Sequence, residues 1–220
     1  MIKVSYCVTA TRYNIQKKLN KLAEKPVMSL DTETSGVYPK QDRSTAQKLL
    51  DKDQDLSIDQ IKQYRMVAGN SGLSFPSLVV TTHFIFGLSK DHSEILIPDT
   101  IHTEMLIWKF IAYYKGLLLI HNALFDLQIM YNRVRCFPKN YVDTSLMSKC
   151  FINHVDIWKA KVGLKELMKS QYDPTWSLYD EYEPDNPKSP KFLKYCSIDG
   201  CATMLLYQQI MEHRNEQDTR

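Results

Sequence analysis

The order of apolar patterns along the chain predicts an α/β fold, one mixed five-stranded sheet flanked by helices. Three observations carry this expectation. The runs VMSL (27–30) and GLLLIHN (116–122) have the length and character of buried strands. HFIFGLS (83–89) and EILIPD (94–99) are separated only by polar turn residues, as in two strands joined by a short connection. The segments between and after these runs repeat their apolar residues at helical spacing.

The elements follow in order. Residues 2–10 (IKVSYCVTA) alternate apolar and polar like an edge strand. In TRYNIQKKLNKLAEK, Ile15, Leu19 and Leu22 mark one face of a helix, with Thr11 as N-cap and Pro26 as its stop. HTEMLIWKFIAYYK is an amphipathic helix, and ALFDLQIMYNRV is a second one directly after the 116–122 strand. The rest is mostly helical: SLMSKCFIN, VGLKELMKS, and a long final helix opening at Ser189 as N-cap with Pro190 in its first position. DPTWSLYDEYEPDNPKSP (173–190) reads as a surface loop, so residues 1–220 are expected to form a single domain.

Composition narrows the classes of function. A net charge of +3 is a weak pointer to a polyanionic partner. No apolar run reaches the length of a membrane span and the N-terminus lacks a signal-peptide pattern, which gives the expectation of a cytoplasmic protein. Five cysteines without paired C-x-x-C spacing argue against a disulfide framework and a zinc site. The six histidines include no H-x-x-x-H pair.

Residues 39–78 break the strand rhythm. Asp51, Asp53, Asp55 and Asp59 fall at the spacing of a calcium loop, but Leu56 stands where that loop needs Gly and Lys62 where it needs Glu. A helical insertion, capped by Ser57 with Gln60 and ended by Gly69, accounts for the residues better.

The chemistry concentrates in three short patterns. Asp31-Thr32-Glu33 ends a buried strand, so its two carboxylates face one way. Asn122-Ala123-Leu124-Phe125-Asp126 lies at a strand-to-helix junction, where Asn122 is expected to cap the helix as well as line a site. Tyr195 and Asp199 stand four apart on the final helix and share a face. D-x-E alone is uninformative, since about one is expected by chance in a chain this long. N-x-x-F-D is rarer, and the three in this order make a strong signal. His121 reads as a structural histidine.

This set resembles the DEDDy-type 3′–5′ exonucleases, the DnaQ-like group with a ribonuclease H-like fold. The wording DTETSG is most similar to the proofreading domain of family A (DNA polymerase I-like) DNA polymerases, and VDTSLMSK (142–149) and VGLKELM resemble further family segments. The likeness spans about residues 2–38 and 79–213 and leaves the 39–78 insertion outside.

The resemblance implies two Mg²⁺ or Mn²⁺ ions. Asp31, Glu33 and Asp199 would hold the first, Asp31 would bridge to the second, and Asp126 would steady the second. Tyr195 would orient the attacking water. Thr32, Thr34, Asn122 and Phe125 would lie along the substrate's 3′ end, with Glu33 near the terminal sugar. Lys191 and Lys194 are candidate phosphate contacts, together with Lys188, Lys159, Lys161 and Lys165.

The expected activity is removal of nucleotides from single-stranded DNA, in replication, proofreading or repair, in trans with a polymerase or other replication protein. The composition is compatible with a phage or other mobile-element origin. The alternative enzyme is a ribonuclease D-like exoribonuclease, for which RNA replaces DNA. A non-catalytic module recruiting a replication partner is the reading from another class. It gives no reason to keep an electrostatically awkward cluster of acids.

Overall fold

The computed structural model describes residues 4–9, 12–34, 81–152, 163–171 and 188–218. The 39–78 insertion, the proposed Thr11 cap, Lys159, Lys161 and most of the 173–190 loop lie outside them. In chain order the elements are β1 (Ser5–Thr9), α1 (Arg12–Ala23), β2 (Val27–Thr34), β3 (Thr81–Gly87), β4 (His92–Leu96) and α2 (Ile101–Tyr113). There follow β5 (Leu117–Ile120), α3 (Leu124–Val134), β6 (Tyr141–Asp143), α4 (Thr144–Ile152), α5 (Leu164–Gln171) and α6 (Pro190–Asp218).

The sheet has six strands in the order β1-β4-β3-β2-β5-β6. The two pairings of β3 are antiparallel; β1 with β4, β2 with β5 and β5 with β6 are parallel. The expected mixed sheet is therefore present with one strand more than the five predicted. The addition is β6, whose three residues YVD are too short to show a period in sequence.

Alternation on β2 divides the molecule. Met28 and Leu30 join Phe84, Phe86 and Leu96 on one face, where Ile15, Leu19 and Leu22 of α1 and Ile107, Trp108 and Ile111 of α2 cover them. Phe84 meets the Trp108 ring edge-on at 4.8 Å. The opposite face carries Ile85 and Ile95, which pack on Phe192 and Cys196 of α6.

Ser189 caps α6 as its sequence predicts, accepting from the Phe192 N–H at 3.1 Å. At 29 residues α6 is long enough to cross the whole sheet. No helix among the described residues is long and apolar enough to cross a membrane. All five cysteines are free thiols; Cys196 and Cys201 are buried, Cys7 and Cys150 exposed.

Candidate active site

Strand β2 outruns its neighbour. Its parallel pairing with β5 stops at Leu30 opposite Ile120, whereas its antiparallel pairing with β3 continues through Thr34. The acids of DTET thus lie on the strand itself, as their expected place at the end of a buried strand requires. The register shifts between Glu33 and Thr34, an irregularity of the kind that re-aims side chains beside functional sites.

Because β5 ends early, the flank of residues 31–34 is open to the β5–α3 turn. Asp31 and Glu33 face α6, and Thr32, on the other side of the strand, faces α3. The Thr32 hydroxyl donates to Asp126 Oδ1 at 2.5 Å and fixes that carboxylate against the strand. One oxygen each from Asp31, Glu33 and Asp199 lies within 4.8 Å of the others. Together with Asp126 and Tyr195 they line a cleft of about 510 Å³ that also takes in Asn122 and Phe125.

Tyr195 is half-buried one turn before Asp199 and hydrogen-bonds its carboxylate. The Lys165 ammonium lies 4.6 Å from the centre of the Tyr195 ring, a cation–π contact, and its charge also acts on Glu33.

Some predicted residues stand elsewhere. Thr34 ends β2 and does not line the cleft, and neither do Lys191 and Lys194, which are exposed on the first turns of α6. Lys149 of α4, the last residue of VDTSLMSK, does line it, although it is not among the expected phosphate contacts.

Asn122 corrects another expectation. It does not cap α3: the N-cap position is Ala123, without a side-chain cap bond. Asn122 sits instead in the left-handed region at φ 60°, which asparagine tolerates better than most residues. The capping is done from a distance by Asp143. Its Oδ1 accepts from the Asn122 N–H (3.1 Å) and the Ser145 N–H (2.8 Å), and its Oδ2 from the Ala123 N–H (2.9 Å).

Asp143 thereby ties the turn that carries Asp126 to the start of α4. Its residue type and place, an acid just before a helix, are an N-cap signal within VDTSLMSK. His121, hydrogen-bonded to Thr144 Oγ1 at 3.0 Å, belongs to the same junction. Asp143→Ala should lower unfolding free energy by about 1–2 kcal/mol for the lost cap. It should also slow any reaction in the cleft, with partial recovery in Asp143→Asn; urea unfolding and reaction rates on the two variants check this.

Electrostatics follow from crowding. Burial, then the charges of Asp199, Asp126 and Glu33, hold Asp31 well above the ordinary carboxylate range. Burial, then Asp199 and Asp126, push Glu33 up to about 7, partly offset by Lys165. Burial likewise raises Asp126 to about 7 against the Thr32 hydrogen bond. The Tyr195 phenol is raised by burial and by Asp199, Glu33 and Asp31, so it stays protonated and donates. Burial also pushes up the Cys196 thiol, which leaves it a packing group.

Such a donor set fits a hard dication. It is all oxygen, with Asp126 and Asp199 buried and Asp31 and Glu33 partly so, and it is costly to ionise without a compensating charge. The carboxyl groups are easier to ionise in the unfolded chain, so the metal-free fold binds more protons and loses stability as pH rises from about 4 through about 7. Raising Glu33 from 4.5 to about 7 costs on the order of 3 kcal/mol at pH 8. Mg²⁺ should therefore raise the melting temperature more at pH 8 than at pH 5, as thermal unfolding with Mg²⁺ or EDTA at both pH values will show.

No protein-family model matches the chain, and no curated protein sequence does. Solved structures do. Escherichia coli RNase D, an exoribonuclease involved in structured RNA processing, superposes with a TM-score of 0.56 at 11% identity, over 94% of this chain and 44% of that one. Brucella melitensis NrnC with bound Mg²⁺ gives 0.53 at 14%, over 99% and 84%. Trypanosoma brucei RNase D in complex with RNA U12 gives 0.55 at 13%, over 94% and 62%.

The chain has their ribonuclease H-like fold. It spans less than two thirds of either RNase D chain. Within this fold the clustered acids belong to the strand that outruns β5 and to the helix that crosses it.

Proposed function

We propose that this chain is a metal-dependent 3′–5′ exonuclease acting on single-stranded RNA. The observation that carries the reading is the convergence of Asp31, Glu33 and Asp199 within 4.8 Å, beside Tyr195 and Asp126 in one cleft. RNA takes precedence over the DNA that the DTETSG wording suggests, because the similar structures are named as ribonucleases. NrnC is bound to Mg²⁺ in one structure and to pGG in another. A polymerase partner and a place in replication or repair rest on the DTETSG wording alone.

In this reading Asp31, Glu33 and Asp199 would hold one divalent ion, and Asp31 and Asp126 a second. When bound, such ions would supply a hydroxide nucleophile at neutral pH and offset charge on the leaving oxygen. The chain's own groups do the positioning. The Tyr195 hydroxyl, kept protonated and bonded to Asp199, orients water without acting as a base. Thr32 holds Asp126 in place. Lys149 on the cleft wall and Lys165 beside Tyr195 supply charge for substrate phosphates. Phe125 offers a stacking surface, and Glu33 and Asn122 polar groups, for the terminal nucleotide. Lys191 and Lys194 are left with the strand outside the cleft.

The test uses 5′-labelled single strands of RNA and DNA of one sequence, with Mg²⁺, Mn²⁺ or EDTA, beside Asp31→Ala. Metal-dependent shortening from the 3′ end, faster on RNA and absent in the variant, is the expected result. Failure to shorten either strand with metal rejects the enzyme. Faster shortening of DNA restores the polymerase I-like reading.

A further inference from the structure

On the sheet face turned away from the carboxylate cleft, three metal-ligating side chains of different type meet where β1 joins β4. Asp31 lies opposite Ile85 and Ile85 opposite Ile95, so the cleft shares its face with Ile95 and the adjacent Glu94 points the other way. The parallel register sets Ser5 beside His92 and Cys7 beside Glu94. One ligand atom each from Cys7, His92 and Glu94 lies within 4.8 Å of the others.

We propose that Cys7, His92 and Glu94 form a second metal site, selective for Zn²⁺, that clamps the edge strand β1 to the sheet. Two further observations point to a ligand. Glu94 is 8% exposed; its Oε1 takes the Lys18 ammonium at 2.6 Å, while Oε2 is buried without a hydrogen-bond partner. A buried carboxylate oxygen in that condition is costly, and a bound cation removes the cost.

The second observation is the polar partner of His92. The Ser5 hydroxyl lies 2.8 Å from His92 Nδ1 and 3.1 Å from the Asp91 carbonyl. With the Ser5 proton on that carbonyl, Nδ1–H donates to Ser5 and Nε2 keeps the lone pair that a metal takes. Lys18 on Glu94 and Ser5 on His92 are the outer partners that orient metal ligands.

A thiolate, an imidazole and one carboxylate, with a fourth position for water, suit Zn²⁺ and not Mg²⁺. The clustered carboxylates of the cleft, which offer oxygen alone, select the opposite way. Cys7 is exposed, which gives the ion a path in. The site is independent of any nuclease activity.

Co²⁺ added to the full chain tests it, because only a thiolate ligand gives a sulfur-to-cobalt charge-transfer band. The band should appear in the wild type and in Asp31→Ala and vanish in Cys7→Ser. In competition against a zinc chelator, His92→Gln, which keeps the thiol, should weaken Zn²⁺ by at least about 10–100-fold, the loss typical of an outer partner alone. No band in the wild type, a band that survives Cys7→Ser, or Zn²⁺ affinity unchanged in His92→Gln would overturn the proposal.

Discussion

Asp31→Asn is expected to abolish strand shortening while making the metal-free protein more stable. Asp31 lies in the cluster with Glu33 and Asp199, so its loss removes a ligand common to both proposed ions. A rate loss of at least about 10³-fold, some 4 kcal/mol of transition-state stabilisation, should result. The stability gain has a separate cause. Burial and three neighbouring acids keep Asp31 far above its ordinary range, so the fold carries a group that the unfolded chain ionises more readily.

The sign follows from proton binding. With a raised folded value, the penalty is absent at low pH and grows as pH rises through neutrality. The variant's gain in melting temperature in EDTA should thus be large at pH 8 and small at pH 4, and Mg²⁺ should narrow the gap at pH 8 by stabilising only the wild type. An active variant would remove Asp31 from the mechanism. An inactive one with no gain at pH 8 would mean that the acids do not strain the fold. Loss of function with gain of stability is the mark of a site held together against its own repulsion.

The cluster was legible in the sequence because its signals are local. Asp31 and Glu33 are two apart on a strand, and Tyr195 and Asp199 four apart on a helix, so each pair's common face follows from backbone geometry alone. What escaped depends on contacts between distant segments. The reach of β2 through Thr34 is set by β3, not by its own polar residues. Asp143 bonds backbone twenty residues away, and a helix start cannot announce that its cap also serves another turn. Lys191 and Lys194 are close to Tyr195 in sequence, yet the helix carries them onto exposed turns, whereas Lys149 arrives from α4. β6 is too short to register as a strand, although its pairing with β5 places Asp143 at the site.

The same limit hid a close backbone contact beside Asp199, and Gly87→Ala exposes it. A Cβ on Gly87 would lie 2.2 Å from the Gly200 carbonyl oxygen and 2.3 Å from Ser29 Oγ. The demand is for space, since α6 runs backbone to backbone against β3 there. A Cβ on Gly200 would in turn lie 2.8 Å from Ile85 Cγ2. Ser29 completes the joint, donating to the Gly200 carbonyl at 2.8 Å and accepting from the Gly87 N–H at 3.0 Å.

One methyl at Gly87 therefore meets backbone, which yields only if α6 moves. Overpacking of this kind costs about 1–3 kcal/mol, and the two displaced hydrogen bonds add roughly 1 kcal/mol each. A total near 3–5 kcal/mol is expected in urea unfolding. Gly200 adjoins Asp199, so the shift also carries Asp199 and Tyr195 away from β2. A misplacement near 1 Å costs on the order of 100-fold in rate.

Ser29→Ala separates the two effects: it deletes both hydrogen bonds without a clash, and should cost about 1–2 kcal/mol with activity nearly intact. If Gly87→Ala matches Ser29→Ala in both stability and rate, the close approach of α6 is not what aligns Asp199 with Asp31 and Glu33.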